Sequence, residues 1–352
     1  MTQEALTPGI EQHDDPAGLV GPVDLVVVGG GPAGLSAAKI AARSRRSVLV
    51  IDAGRPRNGP AAGVHNYLYA EGVAPARLEE IGRAEATSYG VEVCAGRAAG
   101  VGVVDDPPAG AARFVVTLEL SGAGRQTVGA RRLLLATGTI DVLPEVPGLR
   151  EGWGRDVLHC PFCHGWEVRD RAIGVLASGP LAMHQVHLFR ALSDDVTVFW
   201  HDGVEATDDQ REQLAALGVA SVVGRVSSAE RADGTLVGVR LADGRLVPRD
   251  ALVVSTGLRA RDDLLVDLGL ELTDLVVAGT VVGTRLETDA TGATLCAGVW
   301  AAGNLTDPLA TVAAAAAAGG AAGAAAHVDL IREDTTVALA AHRRAQDEAD
   351  QE

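Results

Sequence analysis

The sequence predicts an α/β protein made of two Rossmann-like, three-layer (ββα) dinucleotide-binding domains, and three observations predict it. Two stretches, Asp24–Gly34 and Arg171–Ala182, read as a strand, a glycine turn and the start of a helix. Each is followed by a second apolar strand, Ser47–Asp52 and Val196–Trp200, so strands and helices alternate as a parallel sheet requires. Each half then closes on a similar tripeptide, Ala136-Thr137-Gly138 and Ser255-Thr256-Gly257. A chain of 352 residues is long enough for two such domains, each with its own core. Aromatic residues make up only 3%, so Ala, Val, Leu and Gly must fill those cores.

In chain order, Met1–Pro22 has neither a basic start nor an apolar centre, and reads as a disordered lead rather than a signal peptide. In the first turn, Gly29, Gly31 and Gly34 form G-x-G-x-x-G between a Val-rich strand and a helix of small residues reaching about Arg43. The first glycine permits the turn, the second lets backbone approach a pyrophosphate, and the third lets helix and strand pack closely. Asp52 ends the next strand, where an acid can bind ribose hydroxyls. The second helix is expected through Leu192. Hairpin-like patches follow in each half, Phe114–Leu120 with Gln126–Leu135, and Leu236–Leu241 with Arg245–Val254, the latter joined at Asp243-Gly244. A last strand-like segment, Gly298–Asn304, precedes the Ala- and Gly-rich run Leu309–His327, too weakly hydrophobic for a membrane span. The charged stretch Ile331–Glu352 reads as a solvated helix or a frayed end.

A formal charge of −16 argues against nucleic acid or an anionic membrane as partner, because both repel such a surface. A cytoplasmic location is expected, and there a close Cys pair is more often redox-active or metal-binding than a structural staple. The pair lies in His159-Cys160-Pro161-Phe162-Cys163-His164. Thiols at this spacing can close a small disulfide ring, and a neighbouring His or a helix N-terminus would lower one thiol's pKa. Cys-x-x-Cys-His is also the c-type haem attachment signature, but that attachment belongs outside the cytoplasm. Zinc would need two further ligands at recognisable spacing, whereas Cys94 and Cys296 stand alone in apolar strand-like contexts. The reading is therefore redox chemistry with no metal.

The set Gly29–Gly34, Ala136-Thr137-Gly138 and Gly303-Asn304 resembles the flavoprotein disulfide reductases with two dinucleotide domains. The short chain and late Cys pair resemble their low-molecular-weight thioredoxin reductases, over about Val23–Val328. Two departures, His164 in place of an Asp after the second Cys and Asn304 in place of an Asp, resemble a subgroup, the FAD-dependent dithiol oxidases of natural-product pathways such as those of gliotoxin, holomycin and romidepsin. The resemblance implies an FAD-binding domain over 23–147 and 279–330, with a second NAD(P)-like domain, 148–278, inserted into it and carrying the Cys pair; 331–352 is a polar tail. It implies FAD held by Gly29, Gly31, Pro32, Ala33, Gly34, Asp52, Ala136, Thr137, Gly138, Gly303, Asn304, Thr311 and Val312. Asn can still hydrogen-bond the flavin's ribitol; Ala310-Thr311 replaces the family's Arg-Gln, so contacts near the ring differ.

By the same resemblance Cys160 is the exchange thiol facing substrate, Cys163 the thiol facing flavin, and His164 the general acid or base; the bland alternative for His164 is a solvated loop residue. The implied partners are a small-molecule dithiol and O2, with hydrogen peroxide as product, and the implied assembly is a homodimer. The competing reading is a reductase fed by NAD(P)H or ferredoxin. Against NADPH stand Ala177 at the first glycine position of the second turn and the stretch Trp200–Glu205, which has no arginine until Arg211. Asp202 leaves open whether that domain binds NADH or survives as a scaffold for the Cys pair.

Overall fold

In a computed structural model, which describes residues 19–120, 124–179 and 181–350, the first strand is Leu19–Val28. It runs parallel to Val48–Asp52 on one side and to Gly124–Leu135 on the other. Glu92–Val103 and Val299–Ala301 extend this parallel sheet at its two edges. Its end, Leu25–Val28, is buried on both faces, which explains that run of four apolar residues. Leu25 and Val27 enter the core under the helices with Ala37, Ala38 and Ala41; Val26 and Val28 enter a second core with Phe114, Val116 and Leu133. That second core exists because Glu92–Val103 and Gly124–Leu135 are long enough to leave the parallel sheet. Phe114–Leu120 pairs antiparallel with both to build a second sheet. Helices, parallel sheet and antiparallel sheet form the three expected layers. The expected lead is shortened: Leu19 and Val20 already pair with Thr127 and Val128. The remainder of it, up to residue 18, lies outside the described residues.

The inserted unit repeats the plan. Its parallel sheet orders as Ala220–Val223, Val196–Trp200, Ile173–Ala177, Ala251–Val254 and Val157–Leu158. Helix Ala182–Arg190 packs on it, ending just short of the expected Leu192, and Asp208–Ala216 begins with a capping box between Thr207 and Gln210. One expected hairpin is corrected. Arg245–Val254 is not one strand: Leu246–Val247 pairs with Thr235–Leu241, then Pro248, which lacks an N–H, breaks the ladder. Ala251–Val254, wholly buried, continues instead in the parallel sheet between Val157–Leu158 and Ile173–Ala177. The chain enters this unit through Thr139–Val142 and leaves through Gly257–Ala260, which pair antiparallel from Thr139↔Ala260 to Val142↔Gly257. The second domain is thus inserted into the first on two adjacent strands.

The Ala-rich run and the charged tail form one helix, Val312–Ala349. At 38 residues, with a window of mean hydropathy 1.3, it is long and apolar enough to cross a membrane. Its small-residue face is instead spent on helix Pro32–Arg43. A Cβ on Gly319 would lie 2.0 Å from the Ala33 carbonyl oxygen, and one on Gly323 would lie 2.6 Å from that of Ala37, so glycine is what lets the backbones touch. From residue 335 the charged portion is the solvated helix expected of it, but its approach is anchored. Arg132 Nε donates to Asp329 at 2.6 Å and Arg46 Nη1 to Asp334 at 2.6 Å, and Arg131 joins Asp334 to Asp24. We expect Gly319→Val to destabilise the protein by about 2 kcal/mol, read as a lower thermal midpoint with helix content retained. An unchanged midpoint would contradict the helix contact.

Candidate active site

The two domains enclose a cavity of about 870 Å³ that joins the first glycine turn to the Cys pair. At the turn, Gly29 has φ +111° and a Cβ there would sit 2.3 Å from the Ala136 carbonyl oxygen. A Cβ on Gly34 would sit 1.8 Å from the Gly29 oxygen, so this glycine serves helix–strand packing and does not line the cavity. Gly31 is different: a side chain there would meet nothing within 4 Å, so its backbone lies open to a ligand. Gly31 also precedes helix Pro32–Arg43 without a side-chain cap, leaving helix N–H groups for an anion. Pro32, Ala33, Ala136, Thr137, Gly138, Gly303, Asn304, Thr311 and Val312 all line the cavity, as do Arg55, Arg97 and Arg261. Thr311 caps the last helix at Ala314 N (3.4 Å), so a second helix start opens here. Asn304 Nδ2 donates to the carbonyls of Asp307 and Ala310 at 3.0 and 2.9 Å, which shapes the loop before that helix.

Asp52 is buried at the cavity wall, with one oxygen on the Gly54 amide (3.0 Å) and the other on Arg83 (2.8 Å). Beside it stands Glu79, absent from the sequence reading. Its carboxyl is pushed up to about 7 by burial and by Asp52, partly offset by Arg83. A backbone cradle without side chains, one uncapped helix start with a second helix start beside it, nearby arginines and an acidic pair beside the turn fit a dinucleotide with a pyrophosphate and ribose hydroxyls.

At the other end Cys160 is the N-cap of a short helix, Pro161–His164. Both thiols are half-buried and unbonded. Cys160 is lowered to about 7, first by the Cys163 thiol donating to it, then, against burial, by the backbone N–H groups of Cys163 and Phe162 and by Arg57. Cys163 is pushed well up, because it donates to Cys160 and is buried beside it. Cys160 is therefore the thiolate of the pair. His159 stacks on Trp153 at 5.3 Å and burial pushes it down to about 4, so it stays neutral. Burial also lowers His164, Glu167 opposing and His65 adding to the effect, and its Nε2 is buried with no partner among the described residues. This half-buried imidazole in the short helix, one residue from Cys163, is not a solvated loop residue.

Three features besides Glu79 escaped the sequence reading. Arg57 donates to both oxygens of Asp141 at 2.7 Å and to the Pro308 carbonyl at 2.6 Å, while Thr256 donates to Asp141 at 3.2 Å. Loop 63–73 brings His65 to His164 and places the Asn66 amide on the Phe162 carbonyl at 2.5 Å. A second pocket of about 650 Å³ beside the second turn has the expected Asp202 but also Arg225, from the short connection between Ala220–Val223 and Val226–Ala232, with Glu145, Ser178 and His201. No local signal could have found these, since each joins segments far apart in the chain. Cys94 and Cys296 pack against the core between the sheets, and burial raises both thiols.

Two dinucleotide-type domains with a Cys-x-x-Cys pair facing the first domain's glycine turn define a thiol–disulfide oxidoreductase. The sequence profile of the pyridine nucleotide-disulphide oxidoreductases matches residues 23–340, and the chain belongs to that family. It is 36% identical to thioredoxin reductase tcpT of Claviceps purpurea over 259 residues, covering 71% of this chain and 78% of that protein. Against thioredoxin reductase sirT of Leptosphaeria maculans it is 32% identical, covering 82% and 88%. Among solved structures it resembles HlmI, with TM-score 0.81 and 40% identity over 92% of this chain and 97% of that one. An oxidoreductase from Agrobacterium tumefaciens gives TM-score 0.77 and 34% identity, covering 88% and 99%. The resemblance to thioredoxin-reductase-like flavoproteins is borne out, and the protein is a flavin-dependent thiol–disulfide oxidoreductase. On reducing the protein, iodoacetamide is expected to alkylate Cys160 before Cys163, its rate rising with pH around a midpoint of about 7. Peptide mapping that finds Cys163 labelled first would contradict the assignment of the thiolate.

Proposed function

We propose that the protein is an FAD-dependent dithiol oxidase that closes an intramolecular disulfide in a small-molecule dithiol of natural-product type, with O2 as acceptor and H2O2 as product. The observation that carries this reading is a low-pKa Cys160 sharing one cavity with a glycine turn built for a dinucleotide. Bound flavin would supply a two-electron acceptor that O2 reoxidises. The cradle of Gly29, Gly31 and the two helix starts would hold it, with Asp52 and Glu79 at the ribose end.

A substrate thiolate attacks Cys160 of the enzyme disulfide, giving a mixed disulfide and freeing Cys163, which takes a proton. The substrate's second thiol attacks its own disulfide sulfur and expels Cys160. Cys160 leaves well because its thiolate is stabilised by the short helix's N–H groups. Ring closure within one molecule makes this second exchange fast. His164 accepts the substrate thiol protons in turn, returning one to Cys163, while the other leaves for solvent because Cys160 departs as the thiolate. Two electrons and one proton thereby pass from substrate to the enzyme's thiol–thiolate pair, which surrenders the electrons in turn to the acceptor and restores the disulfide. The direction is supported by the altered second pocket, with Ala177 at a glycine position and the acids Glu145 and Asp202 in its lining. A homodimer is what the resemblance implies.

A second reading, a reductase fed by a pyridine nucleotide, draws on Arg225 in that pocket and on relatives named thioredoxin reductases. Flavin absorbance decides between them. Without oxygen, a small dithiol should bleach the flavin while NADH and NADPH leave it unchanged, and air should restore the colour with release of peroxide. Rapid bleaching by either nicotinamide would overturn the oxidase. Cys163→Ser is expected to lower turnover by three orders of magnitude or roughly more; full turnover would remove its role.

A further inference from the structure

His164 leaves a problem that the exchange steps do not solve. Burial disfavours its charged form, and its Nε2 has no partner among the described residues, so a proton taken there cannot rest. Besides the thiols, two titratable groups act on it, Glu167 and His65. His65, on the loop between strand Val48–Asp52 and helix Pro75–Thr87, meets His164 edge to face with ring centroids 6.3 Å apart. Its Nδ1 lies 2.6 Å from Glu71 Oε1, and its Nε2 lies 3.4 Å from Glu167 Oε1. Both ring nitrogens thus face carboxylates, so the ring can donate at both ends when it carries a proton. The charge of Glu167 acts on His164 as well, so this carboxylate lies near both imidazoles. Exposure increases outward, from His65 at 20% to Glu167 at 39% and Glu71 at 66%.

The loop is built to keep this order. Val64 N donates to Val73 O and Gly72 N to Val64 O, both at 2.8 Å, closing the loop's neck. The second oxygen of Glu71 accepts the Asn66 amide at 2.9 Å, and Asn66, at φ +58°, turns its side chain onto the Phe162 carbonyl of the Cys helix. Glu71 is thereby held on His65, and the loop is held on the helix that carries His164.

We propose that His65, clamped by Glu71 and Glu167, is a positioning residue that passes protons between His164 and solvent during thiol–disulfide exchange. The proton accepted by His164 crosses to His65 through Glu167 or one bridging water, and leaves at the Glu71 end; returning protons take the reverse course. No electrons move in this step. The groups facing His65 are Glu71, Glu167 and His164, and the first two are the carboxylates against which any pH dependence must be read.

The inference rests on the thiol–disulfide chemistry proposed above but not on its direction. It is tested by stopped-flow flavin reduction with dithiothreitol in the absence of oxygen. If the wild-type holoprotein is not reduced, the proposed function fails; the relay is judged only on the variants. His65→Ala should slow reduction about tenfold, and added imidazole should restore most of the rate. His65→Gln keeps a hydrogen-bond donor for one of the carboxylates but cannot take up a proton, so it should be equally slow. The pH profile of Cys160 alkylation should stay that of the wild type in both, because a relay changes rates and not the thiol equilibrium. Wild-type rates in His65→Gln, a loss in His65→Ala that imidazole does not restore, or a shifted alkylation profile would each overturn the proposal, leaving loop 63–73 a mechanical clasp.

Discussion

The pairing of Arg57 with Asp141 is the contact on which the rest of the site depends. Asp141 sits on one of the two strands that carry the chain into and out of the second domain, and Thr256 from the start of the other donates to the same carboxylate. Arg57 comes from the first domain and also holds the Pro308 carbonyl, next to the last helix. One guanidinium thus ties the dinucleotide cradle, both interdomain strands and the loop before the second helix start. Asp141 is only 5% exposed, and Arg57, outweighing burial, holds its carboxyl below the usual range. Such a group stabilises the fold above its unfolded pKa and loses that contribution as pH falls through its lower folded value. Removing Arg57 alone would leave a buried charge unpaired, which costs about 3–5 kcal/mol.

That fixed junction turns two ordinary nucleotide folds into a redox site. The Cys pair lies on the inserted domain but faces the first domain's cleft, and Arg57 adds a positive charge that favours the Cys160 thiolate. A chain of formal charge −16 concentrates Arg55, Arg57, Arg97 and Arg261 around the same cavity. The surface repels polyanions while the interior favours thiolates and a pyrophosphate. Burial keeps both His159 and His164 neutral, so a base stands beside the sulfurs instead of a competing cation.

Local features were legible in the sequence. The glycine turns were readable because Gly29 and Gly34 answer a steric demand within one strand–turn–helix unit. The Cys pair was readable because its chemistry depends on a four-residue spacing. What escaped depends on distant partners: Arg57 meets Asp141 across 84 positions, and Asn66 meets Phe162 across 96. Arg225 reaches the second pocket from the short connection between Ala220–Val223 and Val226–Ala232, so the stretch after Trp200 gave no sign of it. The split at Pro248 was visible in principle, since proline cannot sit in a ladder. The unbroken last helix was hidden because ion pairs to Arg46, Arg131 and Arg132, and not its own apolar pattern, anchor its middle.

The central claim is that one sulfur of the inserted domain touches a flavin held by the first domain's glycine turn. A crystal structure of the yellow, cofactor-loaded protein tests it most directly. The account predicts the pyrophosphate on the Gly31 backbone and the Cys163 sulfur in van der Waals contact with the isoalloxazine, at about 4 Å or less. A ring bound elsewhere, or a Cys163 sulfur turned away with another side chain between, would contradict it.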